Sequence, residues 1–156
     1  MPQACPKSSG VPECCEETMI SICRYHDISV GHRICGHESH CARLHGHNYR
    51  IHFTCTADEL DALGRVLDFQ VVKERLCQWL EDHWDHRFLV WDKDPLLEGL
   101  RALDPSVSVL PCNPSAENMA RYLGEVVGPA QLEGTGARLV AVEVEETAKC
   151  KARWSL

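Results

Sequence analysis

His45 and His47 stand one residue apart across Gly46. On a strand that spacing puts two imidazoles on the same face, about 7 Å apart, where both can converge on one cation. Zinc sites in enzymes commonly take three protein ligands and leave a fourth position to water or substrate, with neutral imidazole a preferred donor. His32 closes an upstream apolar alternation and is the candidate third ligand. Any one of these histidines alone reads as chance accumulation; three at the ends of two apolar faces read as a metal site.

Cys41 lies four residues before His45, in Cys41-Ala42-Arg43-Leu44-His45-Gly46-His47. A thiol near a divalent cation and basic groups is favoured as the thiolate, which suits it to take a proton from a substrate or to attack one. The competing reading makes Cys41, with Cys35, a structural zinc ligand in a closed four-ligand site, which belongs to a binding module and not an enzyme. His37 and His40 stay open as ligands or exposed loop residues.

Glu146 ends a strand whose same-face residues are Val140, Val142 and Val144, so a carboxylate falls where apolar burial is expected. A buried carboxylate needs a partner, and the N–H groups of a guanidine-like ring edge are a good one. The alternative is that a terminal residue emerges into solvent. Asp85 and His86 suit proton shuttling, although adjacent side chains seldom bond one another directly, so no orienting role for Asp85 is expected. Glu117, two residues past a helix cap, reads equally as a dipole-stabilising residue or a substrate contact.

These residues need elements to hold them. Ile20, Ile22, Ile28, Val30, His32 and Ile34 share one parity, with Arg24 and His26 as polar interruptions, which predicts a strand bulged near Tyr25 to Asp27. A second strand begins at His45, with His47, Tyr49, Ile51, Phe53 and Cys55 on its apolar face. Asp68 is the expected N-cap of a helix to about His83 carrying Phe69, Val72, Leu76, Trp79 and Leu80. Val107 to Leu110 reads as a short strand. Ser115 should cap a second helix carrying Met119, Tyr122, Leu123 and Val126, ended by Gly128-Pro129. A strand from about Arg138 and a last one over Lys151 to Trp154 complete the order.

The 156 residues suit one α+β domain over residues 19–156, preceded by a mobile extension over residues 1–18, with Met19 an alternative start. A net charge of −7 and the absence of any Lys/Arg-rich run argue against a general nucleic-acid binder. No stretch approaches the roughly 20 apolar residues of a membrane helix, and no secretory signal stands at the start, so the expectation is a soluble, cytoplasmic protein. Ten cysteines are many, but Cys23, Cys55 and Cys77 sit inside periodic patterns where reduced thiols act as small apolar groups, against a disulfide framework.

From Ile20 to Trp154 the sequence resembles the 6-pyruvoyltetrahydropterin and 6-carboxytetrahydropterin synthase family. The resemblance rests on Gly31-His32-Arg33, Cys41 through Asn48, Leu67-Asp68-Phe69, Trp84-Asp85-His86, Pro114-Ser115-Ala116-Glu117-Asn118 and Glu145-Glu146-Thr147, in that order. It implies Zn2+ on His32, His45 and His47, Cys41 as proton acceptor, Asp85 and His86 as relay, and Glu146 gripping the pterin. Three residues between Cys41 and His45 resemble the 6-carboxytetrahydropterin synthase branch of 7-deazaguanine (queuosine) biosynthesis, in which 7,8-dihydroneopterin triphosphate and water give 6-carboxytetrahydropterin, acetaldehyde and triphosphate. The pyruvoyl branch, which retains the side chain, is the alternative; a non-catalytic zinc-stabilised protein or a relative with an altered substrate are others. The chain departs from the family at Ala116, where Thr is usual, and in a longer Trp91 to Pro111 segment. The implied fold is the tunnelling fold (T-fold): an antiparallel sheet with two helices on one face, closing between subunits into a barrel. A homohexamer of two trimers with sites at subunit boundaries follows from the resemblance.

Overall fold

The computed structural model describes residues 19–156; the extension expected over residues 1–18 lies outside the described residues. The long strands β1 (Ser21–His32) and β2 (His45–Ala57) pair antiparallel in one unbroken register from Ser21 opposite Thr56 to His32 opposite His45. The bulge expected near Tyr25 to Asp27 is therefore absent. His26 keeps the alternation because the covering helix offers it Glu81 at 3.0 Å, while Arg24 lies beside Cys77 of the same helix with its Nε buried and without a hydrogen-bond partner.

Helix α1 (residues 69–83) is α-helical over Phe69–Val72 and Gln78–His83, with a π-helical turn over Lys73–Cys77 between them. Asp68 caps it as expected, accepting from the Gln70 N–H at 2.8 Å. The helix carries the chain back along β2, so β3 (Arg87–Trp91) sets off in the direction of β1 and pairs with it in parallel. A short helix α2 (Leu97–Leu103) then returns the chain to β4 (Ser108–Leu110), parallel to β3. The expected antiparallel sheet is thus mixed: α1 carries the chain from β2 past β1 so that β3 pairs with β1 in parallel, and α2 joins the parallel neighbours β3 and β4. Neither β3 nor α2 was anticipated, and α2 lies within the long Trp91 to Pro111 segment.

Helix α3 (residues 116–132) starts at Ser115, whose Oγ accepts from the Asn118 N–H at 3.2 Å. It too contains a π turn, Leu123–Val127, and runs on through Gly128–Leu132 where a stop was expected. Pro129 falls in the first turn of that last α segment, where a missing N–H costs little. The extra residue per π turn rotates the apolar face. Val126 is consequently 51% exposed while Val127 and Leu132 are buried.

Strands β5 (Ala137–Thr147) and β6 (Cys150–Ser155) complete the sheet order β4-β3-β1-β2-β5-β6. Thr54 pairs with Ala141 but Cys55 with Leu139, so Val140 is an extra residue and Leu139 takes the core position expected of it. Both long helices pack on one sheet face. The core lies between them: Ile28, Val30, Ile51, Phe53, Val142 and Val144 meet Leu76, Leu80, Met119 and Leu123, all 3% exposed or less. The described cysteines are free thiols, with Cys55 and Cys77 buried in the core.

Candidate functional site

His32 and His45 face each other across the end of the β1–β2 ladder, and His47 lies two residues further along the same face of β2. Their ligand nitrogens all lie within 4.8 Å of one another. The rings are tilted or edge-on, with centroids 4.5 to 5.2 Å apart, so the nitrogens converge while the rings do not stack. The tautomers are set by the backbone. His32 Nδ1 is 2.7 Å from the Pro114 carbonyl and His45 Nδ1 is 2.7 Å from the Arg43 carbonyl. A carbonyl oxygen can only accept, so both Nδ1 atoms carry the proton and both Nε2 lone pairs stay free, the arrangement a metal-ligating histidine needs. His32 is 1% exposed, and burial holds its pKa below the ordinary imidazole value, which keeps it neutral. Three converging imidazoles, two of them oriented by backbone carbonyls, fit a tetrahedral divalent ion with one open position.

Glu146 reaches this group from β5. Its Oε1 is 3.5 Å from His32 Nε2 and 3.4 Å from His47 Nε2. The β5–β6 register slips between Glu145 and Thr147, so Glu146 is a bulged residue, and bulges re-aim side chains in this way. Of the two alternatives for Glu146, emergence into solvent does not hold, since its side chain is 29% exposed and directed at the histidines. The Tyr49 hydroxyl donates to Glu146 Oε1 at 3.3 Å and lies 3.1 Å from His32 Nε2.

Cys41 sits in a single 3-10 turn, His40–Ala42, whose carbonyl at Cys41 accepts from the Ile34 N–H at 2.8 Å. That bond ties the turn to the chain leaving His32. Asp85 and His86 occupy the junction of α1 and β3 beside β1, and no hydrogen bond joins them to Cys41 among the described residues. Contrary to expectation they do bond each other, Asp85 Oδ2 to His86 Nδ1 at 2.9 Å. His86 has φ 56°, a left-handed conformation that turns its ring back onto its neighbour. Asp85 Oδ1 also accepts from the Ser29 N–H at 2.8 Å. Burial works against ionisation of Asp85, but the Ser29 N–H and the His86 ring prevail and hold its carboxyl below the usual range. Two adjoining cavities, about 460 and 560 Å³, share Ser29, Asn48 and His86 as lining; Asp85 borders the first, His45 and His47 the second. Glu117 is exposed in the first turn of α3.

A family model for 6-pyruvoyl tetrahydropterin synthase matches residues 21–155. The chain belongs to that family. It is 32% identical over 134 residues to the 6-carboxy-5,6,7,8-tetrahydropterin synthase of Rickettsia bellii, covering 85% of this chain and 97% of the relative. It is 38% identical over 122 residues to the probable 6-carboxy-5,6,7,8-tetrahydropterin synthase of Halobacterium salinarum, covering 77% and 76%. Among solved structures, an uncharacterized protein of Wolinella succinogenes superposes with a TM-score of 0.79 at 23% identity, covering 89% of this chain and 99% of its own. The 6-pyruvoyl tetrahydropterin synthase of Caenorhabditis elegans superposes at 0.64 and 22%, covering 89% and 96%. These likenesses establish the tunnelling fold for the subunit.

Within this 6-pyruvoyl tetrahydropterin synthase fold, several residues that position the site carried no clear sequence signal. Tyr49 counted only as an apolar-face residue, although its position two after His47 placed its hydroxyl on the same face. Asn113 brackets Cys35, accepting from its N–H at 2.8 Å and donating to its carbonyl at 2.9 Å. Arg33 Nε donates to the buried Asp94 at 2.8 Å, pinning the long β3–α2 connection beside His32. A second group, His52, Glu143 and Glu145, also has ligand atoms within 4.8 Å, on the opposite face of the sheet. Its Glu143 is already paired with Lys151 at 3.0 Å and Arg153 at 2.9 Å, and two cations beside a carboxylate repel a third. The histidine trio has no such competitor.

Proposed function

We propose that the chain is a zinc-dependent lyase, 6-carboxy-5,6,7,8-tetrahydropterin synthase, converting 7,8-dihydroneopterin triphosphate and water to 6-carboxytetrahydropterin, acetaldehyde and triphosphate in queuosine biosynthesis. The observation that carries it is the convergence of three imidazoles, those of His32 and His45 oriented by backbone carbonyls, beside a re-aimed Glu146, in a chain whose relatives of similar length bear that name. His32, His45 and His47 would hold Zn2+, which when bound polarises substrate oxygens and lowers the cost of an enolate. Glu146 accepts from the N–H edge of the pterin and fixes its orientation. Cys41 removes a carbon-bound proton. His86, backed by Asp85, passes a second proton to or from the side chain. Glu117 supplies a further substrate contact at the start of α3.

The cytoplasm and a homohexamer of two trimers belong to the same reading. Among the described residues no helix is long and apolar enough to cross a membrane. The sheet ends in β4 and β6, each paired on one side only, and ring closure between subunits would satisfy such edges.

The test is product analysis by liquid chromatography and mass spectrometry after incubating zinc-loaded protein with 7,8-dihydroneopterin triphosphate. Equal amounts of 6-carboxytetrahydropterin and acetaldehyde are expected. The pyruvoyl compound would move the chain to the sister branch, and unchanged substrate would overturn the reading.

A further inference from the structure

The ring of His32 is oriented from outside its own strand. Its Nδ1 meets the Pro114 carbonyl at 2.7 Å, a contact between residues 82 apart in the chain. Pro114 stands one residue before Ser115, the N-cap of α3, and the ladder of that helix starts at the Ser115 carbonyl, which accepts from the Met119 N–H at 2.8 Å. The Pro114 carbonyl is therefore outside the helix and free to serve His32. Past His32 the chain leaves the sheet, since both ladders of β1 end at that residue. Asn113 takes over from there. Its side-chain amide accepts from the Cys35 N–H at 2.8 Å and donates to the Cys35 carbonyl at 2.9 Å. Its own carbonyl accepts from the Ser115 N–H at 2.9 Å and from Asn118 Nδ2 at 3.0 Å. Among the described residues, the two amide bonds and the His32 contact are the only hydrogen bonds that join residues 32–44 to residues 111–118.

We propose that Asn113 is a positioning residue for the metal centre: by clasping the chain that leaves His32 to the segment that enters α3, it fixes the Pro114 carbonyl against the His32 ring and so sets how tightly the three histidines hold a divalent cation. The inference rests on the metal role proposed above for those histidines, and it adds a residue that bonds to none of them. The outer partner of a ligating histidine orients the ring, and its loss weakens metal binding by about ten- to a hundredfold. Here that partner is a backbone carbonyl, which no substitution can delete, so the side chain that places it carries the effect. An amide suits the task because it offers a donor and an acceptor in one plane, and pairing both polar groups of a single residue resists rotation of the joint.

The experiment measures zinc affinity of the full chain by competition with a chromogenic chelator, and ligand geometry by the visible spectrum of the cobalt-loaded protein. Asn113→Ala should bind zinc about tenfold more weakly than wild type, the lower end of the cost of losing an outer partner. Its cobalt spectrum should depart from that of wild type as the His32 ring turns away from the other two. Val72→Ala serves as the control for lost stability alone, since it opens a cavity among buried side chains in the first turn of α1 and touches nothing at the metal centre. It should keep zinc affinity within about threefold of wild type and leave the cobalt spectrum unchanged. Should Asn113→Ala fail to fold, Asn113→Asp decides: it fills the same space and keeps the acceptor, but has no proton for the Cys35 carbonyl. Its added negative charge would by itself favour a cation, so weaker zinc binding there reports the broken clasp. Wild-type zinc affinity or a wild-type cobalt spectrum in Asn113→Ala, an equal loss in Val72→Ala, or undiminished affinity in Asn113→Asp where that variant decides, overturns the role of Asn113 alone. Wild-type protein that binds no zinc overturns the metal reading and this inference with it.

Discussion

On the proposed reading Cys41 and the three histidines divide the chemistry between neighbouring residues, and a single substitution separates the two readings of that thiol. If Cys41 is the proton acceptor, Cys41→Ala keeps three imidazole ligands, holds one zinc per chain by atomic absorption, and loses about 10²- to 10⁴-fold in turnover. Loss of the zinc would make the thiol a structural ligand. Asp85 gives a second prediction, of pH dependence. Its folded pKa lies below the unfolded value of 3.8, so the unfolded chain binds more protons in that range. The stability it contributes is therefore complete well above pH 3.8 and is lost as pH falls through the folded pKa. Wild type should melt above Asp85→Asn at pH 6, and the gap should narrow steadily below about pH 5; a gap constant with pH would remove the carboxylate's bonds to the Ser29 N–H and the His86 ring as its cause. The histidine trio was legible in the sequence because a strand's period of two turns spacing directly into direction. The Asp85–His86 bond was not, because it depends on a φ of 56° at His86 that no residue type at 85 or 86 announces.

Helix α3 shows where periodicity misleads at the level of an element. Its N-cap at Ser115 was readable, since a hydroxyl before an apolar run has one obvious use. Its end was misread, because Gly128-Pro129 looks like a stop and the preceding π turn accommodates it. Both π turns fall in the helices that cover the site's sheet, and each shifts the apolar stripe by a residue that a 3.6-residue template does not count. Gly124, inside the second π turn, makes the consequence testable. A Cβ there would fall inside the Trp154 ring, which packs flat against the helix and pins β6 to it. Gly124→Ala gains up to about 1 kcal/mol of helix propensity. Displacing the ring costs about 1–3 kcal/mol, so the net effect should be destabilising. The melting temperature should fall by a few degrees, with a red shift of tryptophan emission as the Trp154 ring moves toward water. A rise in melting temperature would show that β6 is held by its ladder to β5 alone.

The whole molecule has two unlike sheet faces. One is sealed by α1 and α3; the other carries Asp27 with Arg50, His52 with Glu145, and Glu143 with Lys151 and Arg153, ion pairs that neutralise one another across neighbouring strands. A six-stranded sheet with one face charged and both edges paired on one side only suits the proposed closure between subunits. The alternation in β1, β2 and β5 made the sealed face legible from the sequence. The strand order was not, because β3 and β4 are too short to carry a period and their parallel pairing depends on crossovers through α1 and α2. If subunits close edge to edge, the charged face becomes the wall of a water-filled barrel, and exposed, self-paired charges are what such a wall requires. His86 fits that arrangement: its side chain is 81% exposed, open to solvent or to a neighbouring subunit, and among the described residues no hydrogen bond joins it to Cys41. Sedimentation at micromolar concentration should then give the mass of a hexamer, and dilution that dissociates it should abolish turnover while each chain keeps its zinc, because the three histidines lie within one subunit. A chain that sediments as an active monomer would exclude ring closure and require Cys41, His86 and Glu146 to meet within a single subunit.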